Sequence, residues 1–296
     1  MRRLVVSRSG LPVTRLRTDE IAELGASLAE YDAELLSKTG CTLRDIACRA
    51  AGVDDEEAPG PAIADAVAAV PMSSGLGVLE GFAEGVRDIA AHIGFESYVT
   101  EATDVAGLAE AARRRAGVIM VADDDDFVAI NPRTGCVVDN AEATGRGYAA
   151  ALNAMAGGLE GRGVLVIGCG RVGRSAAATL LGLGAEVCAY DIDPYRSKEL
   201  SAELGRSLGK EVRAEQELDR ALAAHECIMD ASPAASIIDA EHVSSNSVIC
   251  APGVPHGLTP RALKEIAGRF LHDPLQIGVA TMVIESFFGR RSRNDR

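Results

Sequence analysis

A chain of 296 residues exceeds what one hydrophobic core usually spans, which predicts two domains, each able to bury a core of its own. At 47% hydrophobic and 25% charged it has the make-up of a globular protein that needs no covalent staples, but aromatics are 4% and Trp is absent, so packing falls to Ala, Val, Leu and Ile. The formal charge of -13 repels phosphate backbones and anionic bilayers, which excludes nucleic acid and membrane as main partners and leaves a small-molecule substrate.

Seven cysteines (Cys41, Cys48, Cys136, Cys169, Cys188, Cys227 and Cys250) form no Cys-x-x-Cys pair. They read as reduced thiols of a cytoplasmic protein, with no zinc site among them. Arg2 and Arg3 precede a short apolar run that Ser7, Arg8 and Ser9 interrupt, so no export is implied. Nowhere does an uncharged apolar run reach the ~18 residues of a membrane span.

Residues 18–37 place Ile21, Leu24, Leu28, Tyr31, Leu35 and Leu36 at helical spacing behind Thr18 as N-cap, with Asp19 and Glu20 in the first turn. A second helix is expected over 42–51, then an acidic, Pro/Gly-bearing loop over 54–61. From about residue 65, apolar runs at 66–72, 97–100 and 118–121 alternate with helical stretches at 78–93 and 105–115, the pattern of a parallel α/β layer. Ser73-Ser74-Gly75, Thr100-Glu101 and Asp123-Asp124 follow those strands, and ligands sit beyond the carboxyl ends of parallel strands, so the three clusters are expected to line one mouth. Residues 127–131 read as a further strand, 132–135 as a turn and 142–155 as a helix leading to Gly157-Gly158. A boundary near 140 divides an N-terminal helical cap and α/β substrate-binding domain (1–140) from a Rossmann-type domain (141–296), whose Arg-rich end at 289–296 reads as frayed.

The second domain carries the clearest motif. The apolar run 163–167 feeds Gly168-Cys169-Gly170-Arg171-Val172-Gly173 and then a small-residue helix over 175–183, the strand, G-x-G-x-x-G, helix order of a dinucleotide site. Gly168 permits the tight turn, Gly170 lets the backbone approach the pyrophosphate, and Gly173 lets helix and strand pack closely. The helix start, with Arg171 and Val172, offers amides to the phosphates. A second strand, 186–190, ends in Asp191 at the distance where an acid binds the adenosine ribose hydroxyls, which favours NAD over NADP even with Arg196 nearby. Strands at 227–230 and 248–251 end in Ala231-Ser232-Pro233 and Pro252-Gly253-Val254, turns suited to a nicotinamide ribose.

Substrate contacts are expected from the first domain and from 273–281. For Asp123, directly after an apolar run, a solvated turn and a contact to a substrate ammonium both stand, whereas Asp125 and Asp126 read as solvated. A bound ammonium must lose a proton before hydride leaves, and Asp123, or a water it holds, is the catalytic candidate to assist that loss. A calcium loop is excluded because its Gly and terminal Glu are missing. Ser73, Ser74, Asn140 and Thr144 are candidate polar contacts to substrate. His92 reads as a surface or satisfied residue, and of His225, His242, His256 and His272 only His256, after Pro255, is a candidate for chemistry. The lysines Lys38, Lys198, Lys210 and Lys264 avoid the strand-end clusters of the first domain, so a lysine-based site is not expected.

The segments Pro71 to Gly77, Ile93 to Thr100, Met120 to Asp124, Gly168 to Gly173, Ala251 to Pro255 and Pro274 to Met282 together resemble the PylD family, the dehydrogenases of pyrrolysine biosynthesis, over about residues 16–282. The resemblance implies NAD-dependent oxidation of the terminal amine of 3-methyl-D-ornithyl-N6-L-lysine, with ammonia release and closure of the pyrroline ring. It further implies that Asp123 holds the substrate near the cofactor and that the helix beginning near Leu16 closes over it; this chain carries an extra stretch before that helix. The competing readings are another two-domain NAD(P)-dependent dehydrogenase, of shikimate or methylene-tetrahydrofolate type, and a regulatory protein that senses NAD. A homodimer is expected by analogy with such enzymes.

Overall fold

The computed structural model describes residues 24–53, 66–73 and 80–289. Leu16 and Ser74, the N-cap Thr18 and the loop over 54–61 lie outside the described residues. Contacts divide the chain into two units, one holding the described parts of 1–32, 47–140 and 279–296, the other 33–46 and 141–278. The division at 140 is thus joined by two exchanges that a single boundary does not capture. Lys38 Nζ donates to the Phe270 carbonyl at 2.7 Å within the second unit. Phe287 stacks on Phe95 (5.0 Å between centroids, 8° between planes) within the first, where Asn131 Nδ2 also donates to the Ser286 carbonyl at 2.9 Å.

Helices α1 (Leu24–Thr39) and α2 (Leu43–Ala51) precede a five-stranded sheet built from β1 (Val67–Val70), β2 (Ser97–Val99), β3 (Val118–Ala122), β4 (Phe127–Asn131) and β5 (Cys136–Asp139). The strands run in the order β2-β1-β3-β4-β5. β1 is parallel to both β2 and β3, with Ala69 opposite Val99 and Val70 opposite Val121. The carboxyl ends that carry Ser73, Thr100 and Asp123 therefore lie along one edge. Helices α3 (Phe82–His92) and α4 (Asp104–Arg113) make the crossovers, and Ala68, Val70, Ala111, Ala116 and Ile119 form a buried cluster between strands and α4. The β3-β4-β5 meander is antiparallel, and β5 is a strand that the sequence pattern does not predict.

The second unit is a Rossmann-type sheet. Its elements are α5 (Asn140–Met155), β6 (Gly163–Ile167), α6 (Arg171–Gly182), β7 (Glu186–Tyr190), α7 (Pro194–Leu208), β8 (Arg213–Glu215), α8 (Leu218–Ala224), β9 (Cys227–Asp230), β10 (Val248–Cys250), α9 (Pro260–Ile266), β11 (Phe270–Leu271) and the start of α10 (Gln276–Phe288), which from residue 279 on belongs to the first unit. Six parallel strands run β11-β10-β9-β6-β7-β8. From β6 the chain winds outward through β7 and β8, then returns to β9 and winds the other way, so the switch point falls between β6 and β9, beside the loop after β6. Strands buried on both faces read as continuous apolar runs, and Leu165, Ile167, Ile228 and Ile249 are all at most 2% exposed in the core. Among the described residues no helix is long and apolar enough to cross a membrane, and no group of His, Cys, Asp and Glu is gathered for a metal.

Candidate active site

The glycine loop leaves β6 with Gly168 at φ +89°, a left-handed conformation that a side chain would strain. Its amide donates to the Tyr190 carbonyl at 2.8 Å, tying the loop to β7. A Cβ on Gly173 would lie 1.8 Å from the Gly168 carbonyl oxygen, so the first turn of α6 is pressed against the loop itself. Nothing stands within 4 Å of a Cβ built on Gly170. That face is open at the start of a helix, where backbone amides have no intrahelical partner and can meet an anion. Arg171 is exposed and Val172 half-buried on that first turn.

Asp191 is 7% exposed, and its carboxylate is already oriented. Oδ2 accepts the Cys169 amide at 2.7 Å and Oδ1 the Asp193 amide at 2.9 Å. Each carboxylate oxygen has lone pairs beyond the one that these amides use. The acid of β7 thus braces the glycine loop as well as ending its own strand, a link that spacing alone could not reveal. The arginines nearby are engaged: Arg174 pairs with Glu199 at 3.7 Å and with Glu203, and Arg196 lies 3.8 Å from Asp193. Burial, and after it the Asp191 charge, push the Cys169 thiol up to about 12.

Within the same unit the turn at 231–233 meets the glycine loop, and the turn at 252–254 meets the turn at 231–233. A Cβ on Gly168 would be 2.9 Å from the Ala231 carbonyl, and one on Gly253 would be 2.0 Å from the Ser232 carbonyl. The fastening is Asp230, fully buried at the end of β9. Its Oδ1 accepts from the Ser232 hydroxyl at 2.7 Å and the Ser232 amide at 3.2 Å, while Oδ2 accepts the Gly257 amide at 2.8 Å. Burial pushes this carboxyl up to about 6, against the hydrogen bonds and the nearby His272, which pull it down. Ser232 is therefore turned inward, Pro233 is exposed and Pro252 half-buried. The sequence alone places Asp230 only at the end of a strand; a charged residue closing an apolar parallel strand is the signal that marks it.

In the first unit Asp123 is exposed. Its Oδ1 accepts the amides of Asp125 and Asp126, both at 2.8 Å, so it caps its own turn. Ser73 is also exposed and its amide donates to Asp104 Oδ1 at 2.9 Å, with its hydroxyl on Asp104 Oδ2. Asp104 starts α4 at φ +54° and the paired Ser73 holds its carboxyl below the usual range. Asn140 and Thr144, half-buried, lie four residues apart and so on one face of α5.

A doubly wound sheet with this loop, a fixed acid after the second strand and clasped turns after the fourth and fifth defines an oxidoreductase of the Rossmann class, a dehydrogenase served by a nicotinamide cofactor. Residues 20–138 match the family described as pyrrolysine biosynthesis protein PylD, N-terminal domain, and residues 136–251 match alanine dehydrogenase/PNT, C-terminal domain. Over 268 residues the chain is 30% identical to a pyrrolysine synthase of Methanosarcina acetivorans, covering 90% of this chain and 97% of that protein. The chain belongs to the pyrrolysine synthase family. Among solved structures it is similar to a shikimate dehydrogenase in complex with NADP+ (TM-score 0.55, 15% identity, 76% of this chain and 90% of that one). It is also similar to a quinate dehydrogenase from Corynebacterium glutamicum in complex with NAD (TM-score 0.52, 14% identity, 76% and 94%). At those identities the likeness is one of fold.

Proposed function

We propose that this chain oxidises the terminal amine of 3-methyl-D-ornithyl-N6-L-lysine with NAD, and that the oxidised carbon loses ammonia as the ornithine α-amine closes on it to form the pyrroline ring. The observation that carries this reading is the 30% identity to a pyrrolysine synthase along nearly its whole length, joined to a glycine loop whose Gly170 face is open. When bound, the nicotinamide ring supplies the acceptor for a hydride. The loop from Gly168 to Gly173 would hold its diphosphate, Asp191 the adenosine ribose, and the turns bearing Ser232, Pro233, Pro252 and Gly253 the nicotinamide half. NAD is preferred to NADP in this reading because the Asp191 carboxylate repels a 2′-phosphate and Arg174 and Arg196 are engaged with acids.

Asp123 contributes through charge. Oδ1 is committed to its own turn, which fixes the carboxylate and leaves Oδ2 for a cationic amine. Ser73, held by Asp104, together with Ser74, Asn140 and Thr144 completes the polar contacts in this reading, with Leu16 assigned by resemblance. The purified protein, given the dipeptide and NAD, is expected to form NADH together with a product that has lost ammonia by mass spectrometry. NAD binding without turnover would instead favour a sensor. Asp123→Asn is expected to lower turnover by roughly 10-fold or more with NAD affinity kept; unchanged turnover would remove Asp123 from the mechanism.

A further inference from the structure

Three polar groups outside the glycine loop lie at the carboxyl ends of β9, β10 and β11. Asp230 ends β9, His256 lies in the loop after β10, and His272 follows β11. The rings of His256 and His272 meet edge to face, 5.1 Å apart at 75°, and Phe270 packs against both. In a doubly wound sheet this side of the switch point lies opposite the adenosine acid, Asp191, and so flanks the nicotinamide half.

Hydrogen bonds fix the two tautomers. His272 Nδ1 is 2.7 Å from the Ala251 carbonyl oxygen; a carbonyl only accepts, so Nδ1 carries the hydrogen and Nε2 of the neutral ring is a bare lone pair. His256 Nδ1 accepts the Leu258 amide at 3.2 Å, which places the hydrogen on its Nε2. The two touching rings thus offer one acceptor and one donor. Burial and the neighbouring His272 hold the His256 imidazole below its usual range, favouring its neutral form. Asp230 faces His272 electrostatically and its bond to the Gly257 amide anchors the loop that presents His256. The other titratable neighbours are Cys250 on β10, Asp273 beside His272, and Lys38, whose Nζ sits on the Phe270 carbonyl.

We propose that His272 Nε2 is the base that deprotonates the substrate, with His256 donating beside it and Asp230 stabilising the imidazolium that forms. This rests on the amine-oxidation reading above. A bound amine is cationic and gives up no hydride until it is neutral, so the step is R–NH3+ plus imidazole to R–NH2 plus imidazolium: one N–H bond breaks, one forms on Nε2, and charge is conserved. His272 is half-buried, so its proton can pass on to water.

The test has two arms. In cofactor-free protein labelled with 15N-histidine, long-range proton-nitrogen spectra are expected to show His272 protonated at Nδ1 and bare at Nε2, and His256 the reverse. His272→Asn keeps a donor toward the Ala251 carbonyl and removes the Nε2 lone pair. It is expected to keep NAD affinity within about two-fold by calorimetry, to lose roughly 100-fold in kcat, and to lose the acid limb of the kcat profile. The opposite tautomer at His272, or an Asn variant with wild-type kcat and profile, overturns the assignment while an active wild type leaves the proposed reaction standing. A wild type that binds NAD but makes no NADH from the dipeptide overturns both.

Discussion

Gly173 and Gly182 occupy the two ends of one helix and should answer differently to the same change. A methyl group on Gly173 has only 1.8 Å to the Gly168 carbonyl, a backbone atom that cannot swing aside, whereas nothing stands within 4 Å of one on Gly182. Gly173→Ala must push the loop open and is expected to weaken NAD binding by roughly 10-fold or more by calorimetry. Gly182→Ala should leave binding alone and add about 0.5–1 kcal/mol of stability, as helix propensity directs. Equal affinities for the two variants would mean that the loop is not the diphosphate cradle.

Asp230 supplies the pH dependence at this scale. Its carboxyl, pushed up to about 6 chiefly by burial, holds its proton more tightly folded than unfolded. Its favourable contribution is therefore present at pH 4 and lost as pH rises through about 6. Compared with Asp230→Asn, the wild type is expected to lose on the order of 2 kcal/mol between pH 4.5 and 7.5. Urea unfolding of both proteins at the two pH values checks this, and parallel stabilities would refute it.

Elements were legible in the sequence where one local rule sufficed. The run 163–167 and its glycines announced β6, the turn and α6 because a strand buried on both faces must be apolar throughout. α6 nevertheless starts at Arg171, four residues before the small-residue stretch read as helix, because the close fit of Gly173 against Gly168 needs helical backbone already there. β5, β8 and β11, of four residues or fewer, carry too few side chains for a period to emerge; Val137 in β5 is exposed, so even its alternation is weak. The site residues split the same way. Asp191 is proposed from its distance along the chain, while Asp230, His272 and Asp104 take their hydrogen bonds from partners 27, 21 and 31 residues away. The end of α10 is another such case, for its Phe287 and Phe288 find their partner in Phe95. Phe95 is 3% exposed, and Phe95→Ala should cost roughly 3–5 kcal/mol through the cavity it leaves. A wild-type denaturation midpoint would show that the stack carries no weight.

At the scale of the whole molecule, the proposed preference for NAD rests on two features together, a net charge of -13 and a buried Asp191. The chain as a whole disfavours added negative charge, and locally the 2′-phosphate of NADP would meet a carboxylate that two backbone amides hold in place. Both effects oppose NADP, but screening separates them, because salt at physiological strength damps charges beyond about 8 Å and leaves a buried contact nearly untouched. A ligand at 100 times its dissociation constant stabilises the folded state by about 2.7 kcal/mol, so NAD at that excess should raise the melting temperature by roughly 5–10 °C. NADP at the same concentration should give a small fraction of that rise at low salt and gain little at 0.5 M salt. Recovery of the full shift by NADP in high salt would trace the preference to the diffuse charge, and equal shifts at every salt concentration would end the case for NAD.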